Sequence, residues 1–307
     1  MQPATDFGAP RNSPKLRLSV IVATLNRIEK LRKCVECLLC QDTLLDWELI
    51  VVDNGSTDET STYLESICRE KRSRTQMVAM REGKRGLARA RNAGWSIARG
   101  DVVAFTDDDC YAPENYADSV VEVFDSRPDI GFAGGRVLLY DPTDYPITIE
   151  DSELAVCFQP FTYIAAGQIH GANMAFRRSA LERIGGFDVR LGPGTAFPSG
   201  EDIDAAVALL WLGIPGAYDP RMMVYHHHGR RTKQVVRALK HAYDVGRGAY
   251  FAKYIMRGDT RAEFLRGWAR GVRTDLLAGW KNRHPPGGAP VREVLAAMRF
   301  AFQRDGK

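Results

Sequence analysis

The chain has 307 residues, 45% hydrophobic and 26% charged, ordinary values for a soluble globular protein with one large or two small domains. Its formal charge of +4 hides an asymmetry: residues 229–307 hold 18 Lys and Arg against 6 Asp and Glu, net +12, whereas residues 1–228 hold 24 against 32, net −8. No window nears the roughly 20 apolar residues of a spanning helix, no signal-type apolar stretch opens the chain, and six cysteines at this length do not suggest a secreted disulfide scaffold, so a cytoplasmic protein is the expectation.

Residues 1–16, rich in Pro, Asn and Ser, read as a flexible lead. "LRLSVIVATLN" is a near-continuous apolar run, the pattern of a parallel strand covered on both faces. "EKLRKCVECLLCQD" follows with helical spacing of Leu31, Val35, Leu38 and Leu39. Its Cys34, Cys37 and Cys40 imitate an iron–sulfur run, but the fourth ligand would fall at Leu44, so they read as small packing residues. "WELIVVD" is a second strand, "TSTYLESICREK" a helix and "TQMVAM" a third strand. "KRGLARARNAGWSIARG" reads as loop then helix, with Gly100 as its stop, and "DVVAFTDDD" as the fourth strand.

Strands alternating with helices predict an α/β fold with a mostly parallel central sheet, whose ligands sit beyond the carboxyl ends of the strands. Three polar clusters fall at those ends: Thr24 with Asn26, Asp53 with Ser56 and Asp58, and Asp107, Asp108 and Asp109. No GxGxxG follows the first strand, which disfavours an ordinary dinucleotide fold. Beyond residue 130 the pattern is mixed, with a strand in "IGFAGGRVLLYD", a Gly/Pro loop feeding a helix at "SGEDID" that Gly213 can stop, and a final short strand in "GAYDPRMMVYHHH".

Adjacent carboxylates repel, and a divalent cation is the simplest remedy. Alternation along an extended segment would aim Asp107 and Asp109 at one site and Asp108 elsewhere. Mn²⁺ or Mg²⁺ takes oxygen ligands of this kind and completes its shell with substrate phosphates; the bland alternative is a solvated, helix-capping turn. "KRGLARARNAG" offers glycines, basic residues and a helix start to a polyanion, or is simply a basic helix facing solvent. "SGEDID" fits a capping box loosely, or presents a carboxylate base at a loop–helix junction. His226, His227 and His228 supply one metal ligand with spacers, or lie at the surface.

Taken in order, "VIVATLNR", "ELIVVDNGSTDET", "GLARARNAG", "GDVVAFTDDDC", "GANMAFRRSALERIGGFD" and "GEDID" resemble the family 2 glycosyltransferases. The resemblance, from about Leu18 to His228, implies a GT-A fold: Rossmann-like, with a mostly parallel central sheet flanked by helices, here with a basic helical C-terminal extension. It implies a glycosyltransferase domain over 17–232, split into a nucleotide-binding half (17–110) and an acceptor half (111–232), followed by the extension at 233–307.

By position it assigns Thr24 and Asp53 to the nucleotide base, Arg91 to the nucleotide, Asp107 to ribose or metal-bound water, and Asp109 to the metal. Asn26, Asp108 and Glu201 join the donor-contacting set. Asp202 becomes the general base, and His226 is the histidine chosen to complete the Mn²⁺ or Mg²⁺ site. The implied reaction is inverting transfer of one sugar from a nucleotide-diphosphate sugar, UDP-sugars favoured, to a hydroxyl of a saccharide or lipid-linked acceptor, with no nucleic-acid partner. Members often carry Arg shortly after the Glu-Asp pair, and "AAVALLWLG" has none; "QVVRA" lacks the final Trp of the processive members' Gln-x-x-Arg-Trp.

Outside the resemblance, "AEFLRGWARGVRTDLLAGW" sets Phe264, Leu265, Trp268, Val272, Leu276 and Trp280 near one helical face with Arg266, Arg270 and Arg273 between them, and "VREVLAAMRFAF" is similar. Such faces either meet an anionic membrane surface or pack on the catalytic domain. Two other function classes are weaker: a haloacid-dehalogenase-type phosphotransferase using Asp53, which lacks the motif's second Asp at Gly55, and a non-catalytic nucleotide-sugar or polyanion binder, against which Asp107, Asp109 and Asp202 argue.

Overall fold

The computed structural model describes residues 16–69, 75–281 and 289–303, giving the helical backbone alone for 274–281; the lead expected at 1–16 lies almost wholly outside the described residues. The elements run β1 (Leu18–Thr24), α1 (Ile28–Leu39), β2 (Trp47–Asp53), α2 (Thr60–Cys68), β3 (Thr75–Arg81), α3 (Leu87–Ile97), β4 (Val102–Asp107), β5 (Cys110–Tyr111), α4 (Tyr116–Ser126), β6 (Phe132–Leu139), β7 (Val156–Phe158), β8 (Asn173–Arg177), α5 (Arg178–Ile184), α6 (Glu201–Leu210), β9 (Gly216–His226), α7 (Lys233–Ile255), α8 (Arg261–Lys281) and α9 (Ala289–Phe302). The strands form one mixed sheet ordered β3-β2-β1-β4-β8-β6-β9-β5, with β7 paired to β9.

β1 to β4 are parallel, as the alternation of strands and helices predicts. β8 then runs antiparallel to both β4 and β6, and β6 is parallel to β9. The carboxyl ends of β1, β2, β4, β6 and β9 therefore meet one rim, and the reversed β8 brings its amino end there. Thr24, Asp53, Asp107 and His226 close their strands at this rim, and Gly171 enters it just before β8.

Each strand's two-residue period feeds two cores. Val20, Val22, Leu49, Val51 and Ala104 pack under α1, α2 and α4; Ile21, Ile50, Val52, Val103 and Phe105 pack against α3, α6, α7 and α8. Coverage on both faces is why these strands read as unbroken apolar runs. Cys34 is buried in the first core, in line with its reading as a packing residue.

Two local expectations change. Gly100 lies past the end of α3, and a Cβ there would sit 2.5 Å from the Leu18 carbonyl carbon and the Ser19 nitrogen. It is required by the close approach of the chain to β1, not as a helix stop. The start of α6 is no capping box: Gly200, at φ +99°, is the N-cap and no side chain caps it.

The C-terminal helices cover the second core. Tyr250, Phe251 and Tyr254 of α7 are buried there, and Phe264 of α8 stacks on Tyr254 with ring centroids 4.6 Å apart. The Phe264/Trp268 side of α8 thus faces protein, the packing alternative for that helix; the side chains of Leu276 and Trp280 lie outside the described residues. No described helix is long and apolar enough to cross a membrane.

Candidate active site

β4 ends at Asp107 and the chain turns through Asp108 and Asp109 before β5. Strand alternation therefore does not govern the three carboxylates; the turn does. Potential ligand atoms of Asp107, Asp109, Cys110 and His226 lie within 4.8 Å of one another. Asp108 turns toward β1 instead, where it accepts a hydrogen bond from Thr24 Oγ1 at 2.8 Å. It is not fully separated from its neighbour: Arg27 Nη1 contacts Asp108 Oδ1 at 3.0 Å and Asp109 Oδ2 at 2.9 Å.

The electrostatics of the turn are uneven. Burial and the adjacent Asp109 push the Asp108 carboxyl up to about 6, against Arg27 and Thr24. Burial also opposes ionisation of Asp109, but His226, Arg27 and Lys30 outweigh it and hold the carboxyl far below its usual range. His226 Nε2 lies 3.3 Å from Asp109 Oδ1. His227 points the other way, toward the Tyr111 hydroxyl at 3.1 Å. Next to His226, edge-on with centroids 5.1 Å apart, His228 has a buried Nε2 without a hydrogen-bond partner.

The clustered carboxylate oxygens and the imidazole fit a divalent cation held by Asp107, Asp109 and His226; the orphaned nitrogen of His228 is not part of that cluster. Burial and the nearby carboxylates raise the Cys110 thiol well above its usual value, and its soft sulfur suits Mn²⁺ or Mg²⁺ less well than carboxylate oxygens do.

Behind the rim, Arg91 of α3 is buried. Nη2 contacts Asp107 Oδ1 at 3.2 Å and the Gly171 carbonyl at 3.0 Å, while Nη1 meets Glu201 Oε1 at 2.8 Å. Burial and adjacent Asp202 push the Glu201 carboxyl up to about 7, against the opposing Arg91 cation. Asp202 accepts from the Gly171 N–H through Oδ2 (2.9 Å) and from the Ile203 N–H through Oδ1 (2.8 Å), two backbone donors that fix its orientation.

Other residues expected to meet the donor shape the loops. Asp53 accepts from the Ser56 N–H (2.8 Å) and the Ser61 hydroxyl (3.1 Å), building the "NGSTD" turn. Asn26, at φ +54°, accepts from the Thr57 N–H at 2.7 Å and ties that turn to the end of β1.

Two cavities open at the rim. One, of about 360 Å³, is lined by Thr24, Arg27, Asn54, Gly86 and the three aspartates; the other, of about 330 Å³, by Arg91, His170, Glu201, Asp202, Tyr243 and Arg247. They share Leu87, Asp107, Pro193, His226 and Arg230 as a common wall. Residue patterns alone did not single out Arg27, His170, Arg230 or Tyr243. "TLNR" carried the only signal for Arg27, and the others reach the rim through β8, β9 and α7.

Residues 19–185 match the model of the family described as "Glycosyl transferase family 2". The glucosyl-dolichyl phosphate glucuronosyltransferase of Haloferax volcanii is 26% identical over 186 residues, 58% of this chain and 58% of that protein. The pre-mycofactocin glycosyltransferase of Mycobacterium tuberculosis is 25% identical over 228 residues, 71% of this chain and 44% of that protein. The chain thus spans little more than half the length of the first relative and less of the second.

Among solved structures, the mannosyltransferase PcManGT of Pyrobaculum calidifontis, in complex with GDP-Man and Mn²⁺, superposes with a TM-score of 0.64 at 23% identity, covering 97% of this chain and 79% of that one. S. aureus TarS 1–349 with UDP-GlcNAc gives 0.63 at 17% identity, covering 93% and 80%. These likenesses show the fold, GT-A with a helical C-terminal extension. With more than half of its length matched by the family model, the chain belongs to glycosyl transferase family 2.

Proposed function

We propose that the protein transfers one sugar from a nucleoside-diphosphate sugar to an acceptor hydroxyl with inversion at the anomeric carbon. The supporting observation is the pair of adjoining cavities that share Asp107, His226 and Arg230, with the aspartate turn on one side and Asp202 on the other. The donor occupies the Thr24/Asn54/Gly86 side, its diphosphate at the shared wall and its anomeric carbon facing Asp202. A divalent cation held by Asp107, Asp109 and His226 would supply neutralising charge to the departing diphosphate.

The chain's own residues do the rest. Asp202 takes the proton of the acceptor hydroxyl while the new C–O bond forms. The bond to the phosphate oxygen breaks on the opposite face, and the nucleoside diphosphate leaves with that electron pair. Arg230 provides at the shared wall the cationic support that the segment after Asp202 lacks. Asn26 and Asp53 act by holding the loops of the nucleotide side, and Glu201 and Arg91 by holding Asp202 and Asp107 in register.

The acceptor enters between His170, Leu239, Tyr243 and Tyr250. Burial keeps His170 low in pKa, despite the opposing pull of Asp202 and Glu150, so it faces the acceptor as a neutral ring. A saccharide, free or lipid-linked, suits that mixture of rings and polar groups. A UDP-sugar is the first donor to test, by analogy with the UDP-GlcNAc complex of the S. aureus neighbour.

Calorimetric donor binding with Mn²⁺ separates the roles. Asp202→Asn should bind the donor within a few-fold of wild type yet transfer about 10²–10⁴ times more slowly. Asp109→Ala should lose both binding and transfer. Normal transfer by Asp202→Asn would overturn the base assignment, and retained configuration in the product by NMR would overturn direct displacement.

A further inference from the structure

α9 presents two faces. Glu293, Ala296 and Phe300 are buried against the protein, with Phe300 meeting Phe197 edge-on at 5.1 Å between centroids. On the other side Val291, Val294, Leu295, Met298 and Phe302 are 40% to 89% exposed. Their spacing follows the three- and four-residue steps that align side chains along one helical stripe. An apolar stripe of this kind is where a soluble protein meets a partner or a bilayer.

Charge selects between occupants. The stripe lies within the segment of net +12, and the four acids described there are already salt-bridged: Asp244 to Arg247 and Arg292, Glu293 to Arg247, Asp259 to Arg257, and Glu263 to Arg266. α8, joined to α9 by the hydrogen bond from Trp268 Nε1 to Glu293 Oε2 at 2.8 Å, exposes Arg266, Arg270 and Arg273. An apolar stripe in a segment of this net positive charge complements an anionic lipid surface, whose phosphates attract the basic segment while the apolar side chains enter the acyl boundary. A second copy of this chain would meet like charge with like, and one 14-residue helix offers less than the roughly 800 Å² per partner of a standard interface.

We infer that the outer face of α9, within this basic C-terminal segment, is the surface by which this protein lies on anionic phospholipid bilayers. The surface does not depend on the transfer reading, since none of its residues lines either cavity. α7 connects the two regions: it packs against α9 and supplies Leu239, Tyr243 and Arg247 to the second cavity.

Flotation of the full chain with vesicles tests this. Wild type should rise with equimolar phosphatidylcholine and phosphatidylglycerol vesicles and stay down with phosphatidylcholine alone. The double variant Leu295→Glu/Phe302→Glu should lose at least about tenfold of the floated fraction, with an unchanged melting temperature because both side chains are exposed. Leu154→Glu, at an exposed leucine in the loop before β7, should float like wild type. Failure of wild type to float, or equal flotation of the double variant, overturns the proposal. So does a wild-type dimer, by light scattering, that the double variant converts to monomer.

Discussion

Arg91 carries more of the site than its position in a basic motif suggests. A buried guanidinium is tolerated only when its donors are satisfied, and here Asp107, Glu201 and the Gly171 carbonyl satisfy them. Arg91→Met leaves the Glu201 carboxylate buried and unpaired, a loss of about 3–5 kcal/mol. The sign with pH follows from Glu201, whose folded-state carboxyl stands near 7, above its unfolded value. The native state keeps that proton more readily, so Glu201's contribution is most favourable at low pH and is lost as pH rises through about 7. Urea unfolding of Arg91→Met should show the largest deficit at pH 8 and a smaller one at pH 5; an unchanged or growing deficit at pH 5 would contradict the pairing.

Gly171 tests the same link from the other side. A Cβ there would stand 2.6 Å from Arg91 Nη2, while the Gly171 N–H is one of Asp202's two backbone donors. Gly171→Ala should lower turnover by about 10²-fold through misplacement of the carboxylate, with donor affinity within a few-fold of wild type; equal turnover would separate Asp202 from this support.

At the scale of elements, α7 is both a wall of the core and a wall of the second cavity. Lys253 Nζ bridges Asp188 Oδ2 at 2.9 Å and Asp204 Oδ2 at 2.7 Å, fastening α7 to α6 and to the loop after α5. Lys253→Met leaves the buried Asp204 carboxylate without its cation, with the Tyr254 hydroxyl still donating to it, and should cost about 3–5 kcal/mol, read as a lower urea midpoint. Elements such as β1, β2 and β4 were legible because both-face burial leaves an unbroken apolar run, and their carboxyl-end polar residues follow from parallel order. The reversed β8 was not legible, since its direction is set by long-range pairing with β4 and β6. That reversal brings His170 and Gly171 to the rim. Helical periodicity showed which residues of α8 and α9 share a face, but not that α7 and the second core cover Phe264 while the stripe on α9 stays exposed.

Over the whole molecule, acidic and basic regions take separate places. Asp107, Asp108, Asp109, Glu201 and Asp202 of the net-acidic part lie at the rim, where Arg27, Lys30, Arg91 and Arg230 border them, and α7 of the basic part lines the second cavity. Asp107, Asp109, Asp202 and His226 could be singled out because short motifs carry them. Arg27's sharing of Asp108 and Asp109 could not, because a turn rather than a pleat decides where those carboxylates point. The most direct test is release of nucleoside diphosphate from UDP-, GDP- and dTDP-sugars, with acceptor, in the presence and absence of Mn²⁺ or Mg²⁺. One donor class should be turned over in a metal-dependent way by wild type and not by Asp202→Asn; no donor turned over, or equal release by both proteins, would contradict sugar transfer at this rim.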